Sequence, residues 1–299
     1  MACADCFTGT LRGDITPSGR EETIHSLPTY IATPPDGTTP LGIVVILADA
    51  FGYKLLNTRA LADAYARRVP CIVYVPDVMG GNAPPQSFMT RSEYVPPEGD
   101  IPPVKMAKRA GRMLATVPAA VSFLVRNRES VVAPRVKGFM RAAASAEDPG
   151  RPGEGIPPKI GVAGFCWGGG YTVRLTHGTP DNKVVGVGGL ERAVVDCAFT
   201  AHPTWVDVPA DVQAVMQPLS VANGEDDKWM GKEKWSSLKE ILSRKNEEAG
   251  EEVHEAVEYP GAKHGFAVRG DRADPLQKER GEKSEDQAVE WFRRHFQRV

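Results

Sequence analysis

The chain has 299 residues, of which 41% are apolar and 25% are charged, and its formal net charge is −2. These proportions are typical of a soluble globular protein, and the small net charge gives no reason to expect binding to nucleic acid or to a membrane surface. The sequence contains no apolar run of the roughly 18 residues that a membrane-spanning helix needs and no secretory signal, so we expect a cytoplasmic protein.

Apolar, β-branched segments alternate along the chain with segments of helical periodicity. In chain order we predict a strand and turn at 41–52, a helix at 57–68, a strand at 71–78, a helix at 105–127, a strand at 159–165, a helix at 167–177, strands at 193–202 and 217–223, a helix at 232–248, a strand at 251–260 and a helix at 284–296. This alternation predicts an α/β protein with a mostly parallel central sheet and helices on both faces.

Individual residues predict where three of these helices begin or bend. Asn57 or Thr58 is placed to cap the first helix. Pro118 is expected to kink or break the helix at 105–127. Ser284 and Gln287 have the spacing of a capping box, which would start the last helix.

Two stretches rich in proline and glycine, 80–103 and 140–158, interrupt the alternation. Neither is long enough to be a domain, so we predict that residues 1–299 form a single domain. The first stretch follows a strand and is predicted to lie over the carboxyl edge of the sheet, where ligands bind in such folds. The second precedes a strand and is predicted to be a surface segment remote from that edge.

The sequence G-F-C-W-G at 164–168 lies between a predicted strand and a predicted helix. It has the form of the nucleophile elbow G-x-S-x-G, with Cys166 in place of the serine. The start of the following helix would favour a thiolate, and the Trp167 N–H would point to where a carbonyl oxygen becomes an oxyanion. The alternative is a buried structural cysteine beside glycines that only close a tight turn.

A catalytic cysteine would need a base and an acid, which follow the nucleophile in the order acid, histidine in α/β-hydrolases. Of the six histidines, His264 is the one in a loop directly after the last predicted strand. The loop after the strand at 217–223 offers three acids, Glu225, Asp226 and Asp227.

On these residues the chain resembles the dienelactone hydrolase family. The resemblance rests on G-F-C-W-G-G at 164–169, G-E-D at 224–226, K-H-G-F at 263–266 and, less strongly, A-D-A-F-G at 48–52, and it extends over roughly residues 25–298. The segments L-P-T-Y at 27–30 and H-G-F-A-V-R-G-D at 264–271 are similar to the fungal branch. The family implies an α/β-hydrolase fold and a carboxylic ester hydrolase similar to carboxymethylenebutenolidase.

The resemblance also implies roles for individual residues. It implies a triad of Cys166, His264 and Asp226, because Asp226 follows its glycine by two residues as the family's acid does. It places the second oxyanion donor at the Ala50 N–H. Asp49 occupies the position where the family usually has a glutamate that contacts the resting thiol.

Bacterial members of the family hold a substrate carboxylate with arginines. Arg269 lies one residue beyond the family's position after the histidine, and the stretch 80–103 offers only Arg91. If neither lies in the site, neutral esters or lactones are the preferred substrates. His202 and Phe51 follow strands at the same sheet edge, and the sequence leaves open whether they line the pocket or pack in the core.

The sequence therefore predicts a cysteine-dependent hydrolase of small-molecule esters or lactones that acts through a thioester and needs no metal or organic cofactor. A thioesterase, an acyltransferase or a lactone-forming enzyme could use the same triad, and a non-catalytic binding module is a further alternative. The assembly is left open between a monomer and a homodimer. Cys3 and Cys6 form a lone C-x-x-C pair, which is a weak indication of a zinc or redox site because no second pair accompanies it.

Overall fold

The computed structural model describes residues 9–10, 16–86, 102–104, 111, 118 and 120–297. Cys3, Cys6 and Arg91 lie outside these ranges, as do most of the stretch 80–103 and most of the helix predicted at 105–127, of which residues 120–126 are described and helical.

The described residues form ten strands, eight of which make up one central sheet. The ten strands in chain order are β1 (Arg20–Ile24), β2 (Leu27–Ala32), β3 (Ile43–Leu47), β4 (Ile72–Pro76), β5 (Ile160–Phe165), β6 (Lys183–Val185), β7 (Glu191–Ala193), β8 (Cys197–Ala201), β9 (Leu219–Gly224) and β10 (Glu255–Tyr259). The sheet order is β1-β2-β4-β3-β5-β8-β9-β10, and β6 and β7 form a separate hairpin. The strands from β4 to β10 in this order run parallel, whereas β1 and β2 are antiparallel to their neighbours. The prediction of an α/β fold with a mostly parallel sheet is confirmed.

The middle strands are apolar throughout because both faces of the sheet are covered. Every residue of β3, with the sequence I-V-V-I-L, and every residue of β5, with the sequence I-G-V-A-G-F, is buried. A strand with one solvated face would alternate apolar and polar residues instead.

Helices pack on both faces of this sheet. The helices that are described from end to end are α1 (Leu56–Arg68), α2 (Glu129–Ser145), α3 (Trp167–Leu175), α4 (Ala210–Gln213), α5 (Lys232–Ala249), α6 (Phe266–Arg269) and α7 (Pro275–Gln297). One core contains buried side chains of α2, α3 and α5, and the other contains those of α1 and α7. Within the described ranges, no helix is both long and apolar enough to cross a membrane.

The predicted cap of α1 is wrong. The residue that precedes the helix is Leu55, which makes no capping side-chain bond, and both Asn57 and Thr58 are buried inside the first turn. The Asn57 amide instead donates hydrogen bonds to the carbonyls of Thr10 and Val268, each at 2.8 Å. The Asn57 side chain is therefore directed toward distant backbone carbonyls and does not cap its own helix.

The predicted start of α7 is also wrong, because the helix begins nine residues earlier, at Pro275 rather than Ser284. The Asp274 carboxylate accepts the N–H of Leu276 at 2.9 Å. An aspartate cap followed by proline at the first helical position is a start signal that the sequence already contained. Ser284 is buried within the helix, and Gln287 accepts a hydrogen bond from the Tyr259 hydroxyl at 2.8 Å.

Helix α2 was not predicted, and it takes in the first six residues of the stretch 140–158. Pro134 lies inside it, and an internal proline normally argues against a helix. The buried residues Val132, Val136 and Phe139 recur at steps of four and three and form one apolar face. Burial of that face against the sheet offsets the hydrogen bond that the proline cannot make.

Candidate active site

Three strands deliver reactive side chains to the carboxyl edge of the sheet. Cys166 directly follows β5, Asp227 lies in the loop after β9, and His264 lies in the loop after β10. Because β5, β8, β9 and β10 are parallel neighbours, their following loops meet at one edge.

Cys166 sits on a strained turn between β5 and α3. Its φ is +50° and its ψ is −114°, a backbone conformation that residues other than glycine seldom adopt. A Cβ at Gly164 would collide with Thr172 of α3, and one at Gly168 would collide with the Leu47 carbonyl of β3. The two glycines of the G-x-C-x-G motif therefore allow strand and helix to approach closely enough to form the turn.

His264 bridges the cysteine and an aspartate. Its Nε2 lies 3.0 Å from the Cys166 sulfur, and its Nδ1 lies 2.9 Å from Asp227 Oδ2. Cys166, Asp227 and His264 are 1%, 2% and 5% exposed, so water screens these contacts little. The arrangement can transfer a proton from sulfur to nitrogen while the carboxylate holds the other side of the ring.

The expectation that Asp226 would be this carboxylate is wrong. The chain turns at 224–227, where the Asp227 N–H donates to the Gly224 carbonyl at 3.0 Å. The turn leaves the Asp226 side chain exposed and carries Asp227 inward. Asp227 is held there by Trp229, whose N–H donates to its Oδ1 at 2.8 Å. Counting residues from the glycine could not reveal which side chain this turn directs toward the histidine.

Asp49 and Arg269, which the sequence placed in two separate loops, form a buried ion pair. Arg269 Nε lies 2.7 Å from Asp49 Oδ2, and both side chains are 0% exposed. Asp49 Oδ1 accepts the Phe51 N–H at 2.9 Å, and the guanidinium lies over the Phe51 ring at 5.4 Å from its centre. Burial raises the pKa of Asp49, and the adjacent positive charge of Arg269 opposes that rise. The pair connects the loop after β3 to helix α6, which begins two residues after His264.

We expect replacement of Arg269 by methionine to lower the free energy of unfolding by about 3–5 kcal/mol, because it leaves the Asp49 carboxylate buried without its counter-charge. Urea unfolding of the purified variant measures this loss. Arg272→Met is the matched control, since Arg272 pairs with Glu282 at 3.0 Å on the surface. An exposed pair contributes at most about 1 kcal/mol, so equal losses in the two variants would contradict the importance of the buried pair.

His202 follows β8 and its ring packs against His264. The two ring centres are 5.0 Å apart and the rings meet edge to face, at 69°. His202 is 0% exposed. Burial is the main cause that lowers its pKa well below the ordinary value, and the nearby His264 and Arg269 add to it. The imidazole is therefore neutral at physiological pH.

The two expected oxyanion donors belong to the same edge. Trp167 is the first residue of α3, where backbone N–H groups have no partner within the helix. Ala50 lies in the turn after β3 and is 2% exposed. Their roles as donors stay predictions.

Residues 27–296 match the model of the dienelactone hydrolase family. Among curated proteins, the chain is 29% identical over 292 residues to "Hydrolase tropI" of Talaromyces stipitatus, which covers 97% of this chain and 95% of that protein. It is 26% identical over 291 residues to "Hydrolase pyvD" of Aspergillus violaceofuscus, covering 97% and 93% of the two chains. A crystal structure of a putative dienelactone hydrolase from Klebsiella pneumoniae superposes with a TM-score of 0.60 at 20% identity, covering 92% and 97%. At that identity the superposition shows a shared fold, and the fungal relatives agree with the resemblance found in the sequence.

Proposed function

We propose that this chain, which belongs to the dienelactone hydrolase family, hydrolyses small-molecule esters or lactones with Cys166 as its nucleophile. The observation that carries the proposal is the line of contacts from the Cys166 sulfur through His264 to Asp227, at 3.0 Å and 2.9 Å. A nucleophile, a base and a group that orients the base are the parts that covalent catalysis requires.

In the first half of the reaction His264 accepts the thiol proton on Nε2, and the sulfur attacks the carbonyl carbon of the substrate. The tetrahedral adduct collapses as the alcohol leaves with the proton from His264, and the acyl group remains on sulfur as a thioester. Asp227 accepts the Nδ1–H of His264, which keeps Nε2 free for the thiol proton and stabilises the imidazolium that forms.

In the second half a water molecule occupies the place that the alcohol has left. His264 removes a proton from this water, which attacks the thioester and releases the carboxylic acid. The proton then returns from Nε2 to the Cys166 sulfur. The enzyme ends as it began, with one ester bond exchanged for an acid and an alcohol.

The negative oxygen of both tetrahedral adducts needs hydrogen-bond donors in a dry site. We assign this role to the backbone N–H groups of Trp167 and Ala50. Loss of one such donor in a hydrolase costs about 2.7–4 kcal/mol of transition-state stabilisation.

The choice of sulfur as nucleophile limits the substrates. A thiolate is a better leaving group than an alkoxide, so an adduct formed from an ordinary alkyl ester tends to expel the sulfur again. Activated esters and enol lactones have leaving groups that depart more readily than the thiolate. We therefore assign these as the preferred substrates.

The proposal is tested by trapping the acyl group on the protein. Intact-mass spectrometry of enzyme quenched early in turnover of an activated ester should show the added acyl mass, and peptide mapping should locate it at Cys166. An acceptor alcohol in the reaction distinguishes hydrolysis from acyl transfer by the products. An unmodified protein under rapid turnover would contradict the thioester.

The buried ion pair supports a preference for neutral substrates. The Arg269 guanidinium has no exposed surface and is paired with Asp49, so its charge is already balanced. A substrate carboxylate would have to displace Asp49 to bind it, leaving a buried carboxylate unpaired.

We expect kcat/KM for the methyl ester of a carboxylate-bearing enol lactone to equal or exceed that for the free carboxylate. Paired steady-state assays at the same ionic strength measure the ratio. A clear advantage for the free carboxylate that falls when salt is added would contradict this prediction, because it would indicate a cationic binding site for the substrate.

A further inference from the structure

His202 is a buried polar side chain that lies against the ring of His264. Within the described residues, neither its Nδ1 nor its Nε2 makes a hydrogen bond to another residue, and the residue is 0% exposed. Its φ of +42° is also uncommon for a residue other than glycine. A buried unsatisfied polar group costs stability, and such groups in native proteins call for an explanation.

The surroundings of the ring do not explain why it is an imidazole. Phe165 and Phe266 lie 6.1 Å and 5.7 Å from it, measured between ring centres. A phenyl ring would fill this aromatic cage and leave no nitrogen unsatisfied. The polar feature of the cage is the third ring, that of His264.

Backbone hydrogen bonds connect the segment of His202 to the other parts of the site. Its N–H donates to the Ala222 carbonyl of β9 at 2.8 Å. Two residues later, the Thr204 N–H donates to the Cys166 carbonyl at 2.9 Å. The segment 202–204 is thus fastened both to the nucleophile turn and to the strand that leads to Asp227.

We propose that His202 is a positioning residue that orients His264 and stabilises its positively charged form. This inference rests on the proposed function, in which the Cys166 S–H bond breaks and an N–H bond forms on His264 Nε2. His202 gains and loses no proton in this step. Its imidazole has a large dipole and makes no hydrogen bond to another described residue, and this dipole can stabilise the adjacent imidazolium.

A neutral His202 ring suits the proposed stabilisation of the His264 imidazolium. Among the described residues, the titratable or charged groups that act on His202 are His264, from the loop after β10, and Arg269, from α6. Phe165, Ala222 and Phe266 supply uncharged surface. A protonated His202 would repel the imidazolium of His264. Burial keeps His202 neutral, so no like charge opposes proton transfer from the cysteine.

The substitution His202→Phe tests the proposal because it keeps the ring and removes the dipole. We expect no loss of thermal stability, since two unsatisfied nitrogens disappear. We expect kcat/KM for p-nitrophenyl acetate to fall about tenfold, less than the 10²–10³-fold that follows loss of a direct oxyanion donor. The pH at which iodoacetamide alkylation of Cys166 is half-maximal should rise, because the thiolate–imidazolium pair is less stable. His202→Gln, which retains a polar group, should recover part of both changes.

The alkylation profile needs no ester substrate, so it separates this proposal from the proposed function. A His202→Phe variant with the activity and alkylation profile of the wild type would overturn the positioning role. The role is equally overturned if the Phe and Gln variants lose stability and activity together while the alkylation profile stays unchanged. That result would mean that His202 serves only the fold.

Discussion

Replacement of Cys166 by alanine is expected to reduce ester hydrolysis by at least about 10⁴-fold, because removal of the nucleophile from a triad leaves only binding and oxyanion stabilisation. The fold should survive, since the change removes one sulfur atom from a side chain that is 1% exposed and alanine is no larger than cysteine. Turnover of p-nitrophenyl acetate by highly purified protein measures the loss, and circular dichroism checks the fold.

Two other cysteines provide matched controls. Cys71 and Cys197 are also buried and free, and burial raises the pKa of both thiols. Alanine at either position should leave kcat/KM within about threefold of the wild type, since neither thiol belongs to the line of contacts through His264. Cys166→Ser should retain weak activity, because a hydroxyl needs stronger help from a base than a thiol does. If Cys166→Ala kept near wild-type turnover with contaminating esterase excluded, the nucleophile assignment would be wrong.

The sequence was sufficient for the sheet because the middle strands carry their signal locally. Runs such as I-V-V-I-L in β3 are too apolar for a surface position, and short runs between helices indicate parallel strands. Helix ends are less predictable, because they depend on which backbone group a nearby polar side chain hydrogen-bonds in the folded protein. Asn57 bonds carbonyls from two distant segments instead of capping its own helix. Helix α2 was missed because the proline penalty is local whereas the compensating burial is tertiary.

The difference between local signals and tertiary contacts also separates the predictable parts of the site from the unpredictable ones. A strand-turn-helix motif places Cys166, and a loop after the last strand places His264, because both depend on chain order alone. The Asp49–Arg269 pair joins residues 220 positions apart through a contact that no local pattern encodes. The packing of His202 on His264 likewise requires three strands to be assembled side by side. These two contacts emerge only from the structure, and the proposals on substrate charge and on the charge of His264 rest on them.

Replacement of Asp227 by asparagine is expected to lower kcat by about 10⁴-fold, the loss seen when a triad aspartate becomes an amide. Asparagine has nearly the same shape, so it fits the space of a side chain that is fully buried beside His264. Its amide, however, can donate to Nδ1, which favours the imidazole tautomer with the proton on Nε2. That tautomer cannot accept the Cys166 proton. Steady-state kinetics with an activated ester measure the loss, and urea unfolding checks that the variant is folded.

Asp226→Asn is the control that makes this test sharp, because the same chemical change is made one residue earlier on the same turn. The Asp226 side chain is exposed, and His264 Nδ1 is already occupied by Asp227 at 2.9 Å. A surface substitution of this kind should leave kcat within about twofold of the wild type. The ratio between the two variants therefore measures the contribution of the carboxylate that contacts His264, with loop composition and net charge held equal. A larger loss at Asp226 than at Asp227 would mean that the loop rearranges when substrate binds, and it would restore the acid that the spacing from the glycine had favoured.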